Sequence, residues 1–344
     1  MIGAEAYTVL NLGVNQNYHN INADFFEEDG KSFILLTKAF LDGKWGNTEI
    51  KLGRQTLDTP HADSDDIRMM PNYFEAYTIS NTNITDLTLT AGFISRMAGW
   101  ENAVDSKKFV NVGKSIAVYA DNILAEQSDG IAYAAASYDG IKDLSLSLWV
   151  YNYLDIASVV YAEAGYIIAL TKETSLNFGL QYDGSDETGA ALLGEQDAKT
   201  YGLSMELSSE ALGTHILAAY NWDNSNNGAM GLSMGGGPFF TSMEDQTLDA
   251  IGMAGSAWII GLGYHFKTIG IDGLNAGIAY GNFKAEESAL YESNEVDVAV
   301  DYTFSEKFML TAAYASVQFE AGSDENGDPL QDYAQLRIIA NYNF

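Results

Sequence analysis

The last ten residues, Gln335-Leu336-Arg337-Ile338-Ile339-Ala340-Asn341-Tyr342-Asn343-Phe344, alternate between two kinds of side chain. Leu336, Ile338, Ala340, Tyr342 and Phe344 occupy one set of positions; Gln335, Arg337, Ile339, Asn341 and Asn343 occupy the other. Successive residues of a strand point to opposite faces, so this segment is expected to be apolar on one face and mainly polar on the other. It is a strand that runs to the end of the chain. Such a strand can close a soluble β-sandwich or a barrel with lipid outside and water inside.

The same pattern recurs upstream. Leu87, Leu89, Ala91 and Phe93 alternate with Asp86, Thr88, Thr90 and Gly92. Leu176, Phe178, Leu180 and Tyr182 do so with Ser175, Asn177, Gly179 and Gln181. Tyr201, Leu203, Met205 and Leu207 interleave with Gly202, Ser204 and Glu206, and Val296 to Phe304 with Glu295 to Thr303. About sixteen strands of ~9–14 residues are expected. Short turns near 81–83, 139–140, 170–172, 208–210 and 305–306 alternate with long polar connections at 18–30, 56–72, 97–129, 183–196, 223–254, 283–291 and 320–330. One fairly short connection, 152–157, breaks the alternation. Outer-membrane barrels sort short turns to the periplasm and long loops to the outside. The terminal strand, with its aromatic end, resembles the closing strand of such barrels. In hydrocarbon every unpaired peptide group costs several kcal/mol, so alternating polar residues require a closed sheet rather than helices. The expected fold is all-β, a transmembrane antiparallel β-barrel of roughly 16 to 18 strands, one domain over residues 1–344.

Composition agrees. No apolar run approaches the roughly 20 residues of a spanning helix. Hydrophobic residues make up 47% of the chain, yet the mean hydropathy is −0.08, as a lipid face paired with a wet lumen requires. Absence of cysteine removes disulfide and thiol chemistry. The net charge of −30 excludes nucleic acid as a partner, because phosphate demands the opposite sign. Met1-Ile2-Gly3 lacks the basic start and apolar core of an export leader, so an exported chain is expected here in mature or truncated form. Trp45, Tyr220, Trp222, Tyr280 and Tyr342, near strand ends, are candidates for an interfacial aromatic girdle.

Two motifs are more specific. KLGRQTLDTP (51–60) leads into DDIRMMPNYFEAYTIS (65–80), and GGGPFFTSMEDQTLD spans 235–249. With these the chain resembles the OprD-type porins, and most closely the major outer-membrane porins of the epsilon-proteobacterial branch. The resemblance implies a bacterial outer-membrane location and a barrel of about eighteen strands, usually trimeric. It also implies an inward-folded third loop, here 55–73. Two further strands would stand upstream of the strand at 4–17; either they are missing from this sequence or the barrel closes with sixteen. Expected partners are outer-membrane lipid, lipopolysaccharide, small hydrophilic solutes and cations.

The inward loop carries Asp58, Asp63, Asp65 and Asp66 beside Arg54 and Arg68. These six are the candidate constriction residues, where close-range charge sets which ions enter. Strand parity makes Glu49, Lys51, Glu163, Glu206, Glu295, Asp297, Asp301 and Arg337 candidate lumen charges. A lysine or arginine at the lipid midplane would cost ~2–4 kcal/mol. With 47 acids against 17 bases the lumen should favour cations. A row of arginines, used by family members that take carboxylates, is not available: the chain has only Arg54, Arg68, Arg96 and Arg337.

Enzymatic chemistry is not expected. His19 and His61 fall in loops, His215 and His265 in strands as ordinary wall residues, and none sits in a nucleophile motif. No cofactor or dedicated metal site is expected. Three acidic loop groups (Asp63, Asp65, Asp66; Asp183, Asp186, Glu187; Asp324, Glu325, Asp328) offer oxygen ligands of the kind Ca²⁺ takes, with a solvated acidic loop the favoured reading of each. Leu248–Gly263 reads as a loop flank entering a strand. The expected function is passive diffusion of small hydrophilic solutes and ions, with cations preferred. A substrate-selective nutrient channel and a plugged structural or adhesive barrel are the alternatives.

Overall fold

The computed structural model describes residues 1–11, 31–64, 70–102, 105–119, 128–231, 233–235, 237–324 and 326–343. Asp65, Asp66, Arg68, His19 and Glu325 therefore lie outside the described residues, as does the whole 18–30 connection. The first strands are β1 (Ile2–Val9), β2 (Phe33–Trp45) and β3 (Thr48–Gln55), then the two-residue β4 (Asp58–Thr59) and β5 (Ala62–Asp63). Next come β6 (Tyr73–Asn81), β7 (Leu87–Ala98), the two-residue β8 (Val110–Asn111), helix α1 (Val112–Tyr119), β9 (Ile131–Ile141) and β10 (Leu144–Tyr153). The sequence continues with β11 (Ala157–Ala169), β12 (Thr174–Glu187), β13 (Lys199–Ser209), β14 (Thr214–Asp223) and β15 (Gly255–His265). It closes with β16 (Leu274–Ala285), β17 (Glu292–Ser305), β18 (Phe308–Ala321) and β19 (Tyr333–Tyr342). Leaving aside the three two-residue strands, sixteen strands remain among the described residues.

Each long strand pairs antiparallel with its neighbours in sequence, from β1–β2 through β3–β6, β7–β9 and β9–β10 to β18–β19. The middle of the wall, β10 to β18, is an unbroken run of hairpins. β1 and β19 carry the outer edges of this meander, and among the described residues no ladder joins them. Side chains of both nevertheless line one cavity, with Glu5 and Tyr7 from β1 and Arg337, Ile339 and Asn341 from β19, so the meander curls round on itself.

Register explains the alternation. Leu180 stands opposite Leu203 and Leu203 opposite Tyr220, while Gln181 faces Gly202 and Gly202 faces Asn221. The first set is exposed and the second buried or small: Leu180 is 57% accessible, Gln181 5%. The same outward face carries Trp258, Ile260, Leu262, Ile278, Leu336 and Ile338, all exposed. An apolar belt of this extent is stable in lipid and would aggregate in water. Aromatic rings edge it, with Tyr182, Tyr201, Trp222 and Tyr220 in successive contact at 5.3–5.6 Å and Trp258 against Tyr280 at 5.5 Å. Tyr264–Phe266 and Tyr302–Phe304–Phe308 edge the opposite rim. Amphipathic rings favour the membrane–water boundary.

The connections alternate as expected, with small differences of position. β9 runs on to Ile141, so the turn expected at 139–140 falls at Lys142–Asp143, where Asp143 takes the left-handed conformation (φ 63°) that Asp tolerates better than most residues. Leu248–Ile251 forms one short 3₁₀ turn before β15. Among the described residues no helix is long and apolar enough to cross a membrane, which says nothing about strands.

Candidate functional site

Two long connections turn inward and fill part of the barrel. Residues 58–63 form the small β4–β5 hairpin, whose tip carries His61 across to the wall made by β10, β11 and β12. The His61 ring meets Tyr151 and Tyr161 edge-on, with centroids 5.4 and 6.2 Å apart. Its Nε2 lies 3.0 Å from Oδ2 of Asp183, both side chains fully buried. The approach lies off the axis of a directed hydrogen bond. Leu57, Ala62, Phe74, Tyr151, Tyr153 and Met234 share one apolar cluster beneath it.

The second inward segment is 224–254. It crosses the first at Met234: the Met234 amide donates to the His61 carbonyl at 2.9 Å and the Asp63 amide to the Met234 carbonyl at 3.0 Å. The following residue must be glycine. Gly235 has φ +97°, and a Cβ there would stand 2.1 Å from the Asp63 carbonyl oxygen. Beyond the crossing, the segment is pinned to the wall at three places. Gln181 donates to the Pro238 carbonyl at 2.6 Å and to the Tyr161 hydroxyl at 2.8 Å. Buried Asn221 donates to Gln181 at 2.8 Å and accepts the Thr241 amide at 3.1 Å and hydroxyl at 3.2 Å. Buried Glu295 accepts the Asp245 and Gln246 amides at 2.9 and 2.8 Å, while Asp297 accepts the Glu244 amide at 3.2 Å. A buried carboxyl group is tolerable only when its oxygens find donors, and each Glu295 oxygen accepts one backbone amide. On β19, Gln335 donates to both Asp245 oxygens at 2.9 Å, and Arg337 pairs with Glu244.

Between the two segments, β1 and the β17–β19 wall lies a cavity of about 1170 Å³. Its acidic side chains are Glu5, Asp63, Glu101, Glu244, Asp245, Asp249 and Asp297; its basic side chain is Arg337. Burial pushes the Asp249 carboxyl above the usual range, against the Thr247 hydroxyl, its own backbone amide and His61, which hold it down.

The expected site residues divide as follows. Asp63, Asp297 and Arg337 line the cavity, and Glu295 sits behind it. Asp58 is exposed on β4. Arg54 is directed to the strands: it is the register partner of Glu75, 3.6 Å from its carboxylate, donates to the Leu36 carbonyl at 3.1 Å and stacks on Phe109 at 4.3 Å. Lys51 lies over the Phe40 ring at 4.4 Å, and Glu49 stands opposite Ser80. Glu163 accepts from Tyr161, Asp301 from Thr311 at 2.6 Å, and Glu206 from Ser208 at 2.6 Å. Of the acids considered for Ca²⁺, Asp183 meets His61, and Asp324 accepts the Asn326 and Asp328 amides at 2.9 Å within a tight turn. Those amides hold the Asp324 carboxyl below its usual range. Glu244, Asp245, Asp249, Gln181, Asn221 and Gln335 were not anticipated. The 235–249 motif, with proline and three acids in one connection, was the available signal.

A sheet meander with a lipid-type belt, an acidic interior and inward loops defines an outer-membrane channel. The family model for outer membrane porins of the OprD family matches residues 23–344, and the chain belongs to that family. The fold is similar to that of OccK9 (OpdG) of Pseudomonas aeruginosa, with 20% identity and a TM-score of 0.78 over 91% of this chain and 78% of that one. It is also similar to OccK1 (OpdK) of the same organism (19%, 0.76, 92% and 81%) and to OccAB3 of Acinetobacter baumannii (15%, 0.76, 91% and 78%). No curated protein matches the sequence. The chain is therefore a bacterial outer-membrane β-barrel, and its family consists of channels rather than enzymes.

Proposed function

We propose that this chain is a water-filled pore for small hydrophilic solutes and ions that passes cations in preference to anions. The observation that carries this reading is the cavity lining: seven acids against Arg337, whose charge is already met by Glu244. In a narrow, partly dry passage such charges concentrate cations and repel anions. Segment 55–73 is the constriction, with Asp63 at its inner side and Asp65, Asp66 and Arg68 following it; segment 224–254 narrows the opening further. The outward belt meets lipid, lipopolysaccharide and, in a homotrimer, sister barrels. Affinity with the epsilon-proteobacterial porins rests on the 51–80 and 235–249 motifs.

A substrate-selective channel is the second reading, favoured by the size of the cavity, which suits a ligand rather than only ions. OpdK has been solved with vanillate. A carboxylate ligand of that kind would meet, among the described residues of the cavity, only Arg337, so an organic cation suits this lining better. Swelling of protein-loaded liposomes tests the proposal: quaternary ammonium solutes should enter faster than sulfonates of equal size, and equal rates would refute it.

A further inference from the structure

We propose that His215 and His265 form a binding site for a divalent transition-metal ion of the Cu²⁺ or Ni²⁺ kind on the inner wall. His215 begins β14 just after the short 210–213 turn, and His265 ends β15. His215 stands opposite Gly263, so His265 is its diagonal neighbour across the ladder. The rings meet edge-on at 83°, with Nε2 of one 2.8 Å from Nε2 of the other.

The outer nitrogens decide what that contact means. Nδ1 of His215 lies 3.2 Å from Glu206 Oε1 and 3.0 Å from the Ser208 hydroxyl, which spends its own proton on Glu206. A carboxylate only accepts, so Nδ1 of His215 carries the proton. Nδ1 of His265 lies 2.6 Å from Asn275 Oδ1, also an acceptor. A neutral imidazole has one N–H. With both protons held on Nδ1, two lone pairs face each other, so either one shared extra proton or a metal cation must lie between them. Imidazoles that bind metals usually donate their other N–H to a carboxylate or carbonyl oxygen, as both rings do here. Two nitrogens each about 2.0 Å from a metal and at a right angle stand about 2.8 Å apart, the cis spacing of tetragonal copper and nickel sites; tetrahedral zinc would need about 3.3 Å. His215 is 43% accessible, and a Cβ added at Gly263 would touch only His215 Cβ at 3.7 Å, so water can complete the coordination. Among the described residues no group of three or more potential ligands converges, so the site is two imidazoles plus water.

Titration of Cu²⁺ into the full chain in detergent, followed by electron paramagnetic resonance, tests this. The wild type should bind one ion tightly with the hyperfine pattern of two nitrogens. His215→Gln and His265→Gln should each weaken binding at least tenfold and abolish that pattern. Glu206→Gln should weaken binding roughly 10–100-fold while retaining both nitrogens. If the two histidine variants, shown folded by circular dichroism, bind copper as the wild type does, the pair only shares a proton and the assignment is wrong. A one-nitrogen pattern in the wild type would equally overturn it.

Discussion

His61, at the tip of an inward hairpin, stands 3.0 Å from Asp183 on β12, and neither side chain is exposed. This contact ties the 56–72 connection to the far wall of the barrel. Removing one partner of a buried polar contact leaves the other without it, typically a loss of about 1–3 kcal/mol. His61→Ala should therefore lower the temperature at which the folded barrel is lost in detergent and make single-channel current noisier. Unchanged melting and a quiet current would show that the tether does not hold the hairpin.

Asn221 secures the second inward segment through Thr241 and Gln181. Asn221→Ala strands the Thr241 amide and the Gln181 carbonyl oxygen, a cost of about 1–3 kcal/mol. Protease should then cut within 235–249 faster, and mean conductance should rise. A protected segment would contradict the pinning role.

Charge in the cavity should tune selectivity in both directions. A partly hydrated charge is worth about 0.2–1 kcal/mol, so one change should move the cation-to-anion permeability ratio roughly 1.5–5-fold. Arg337→Gln releases Glu244 and should raise the ratio. Asp63, Asp65 and Asp66 replaced together by Asn should lower it without unfolding the barrel. A ratio indifferent to both would remove these residues from the filter.

Acidity should act through Asp249. Its carboxyl is pushed up by burial, so it regains its proton on acidification before ordinary carboxylates do, and cation preference should begin to fall above the usual range near 3.9. A raised pKa contributes stability that is fully present below the unfolded value and lost as pH rises through the folded one. Asp249→Asn should thus be more stable than the wild type at neutral pH and equal to it in acid. Asp324, held low by its turn amides, has the opposite sign: its contribution is present above about 3.9 and lost as pH falls through its depressed value. Denaturation of Asp249→Asn and Asp324→Asn beside the wild type across pH checks the two signs.

The wall was legible because lipid on one side and water on the other impose a period of two on strand after strand. Loop alternation was legible for the same reason. Contacts across the lumen were not. His61–Asp183, Asn221–Thr241 and the amides on Glu295 join residues far apart in sequence, and only the curl of the sheet brings them together. Arg54 illustrates the limit: adjacency to the acidic loop made it a constriction candidate, whereas register sets it beside Glu75. His215 and His265 read as unrelated wall residues because their spacing has meaning only across the β14–β15 ladder.

Zero-current potential across a potassium chloride gradient, measured on the purified protein in a planar bilayer, tests the central claim most directly. The acidic lining predicts stepwise channels and a potential displaced toward the potassium equilibrium value, shrinking as salt screens the charges. A potential at zero or displaced toward chloride, or a folded and inserted protein without conductance, would contradict it.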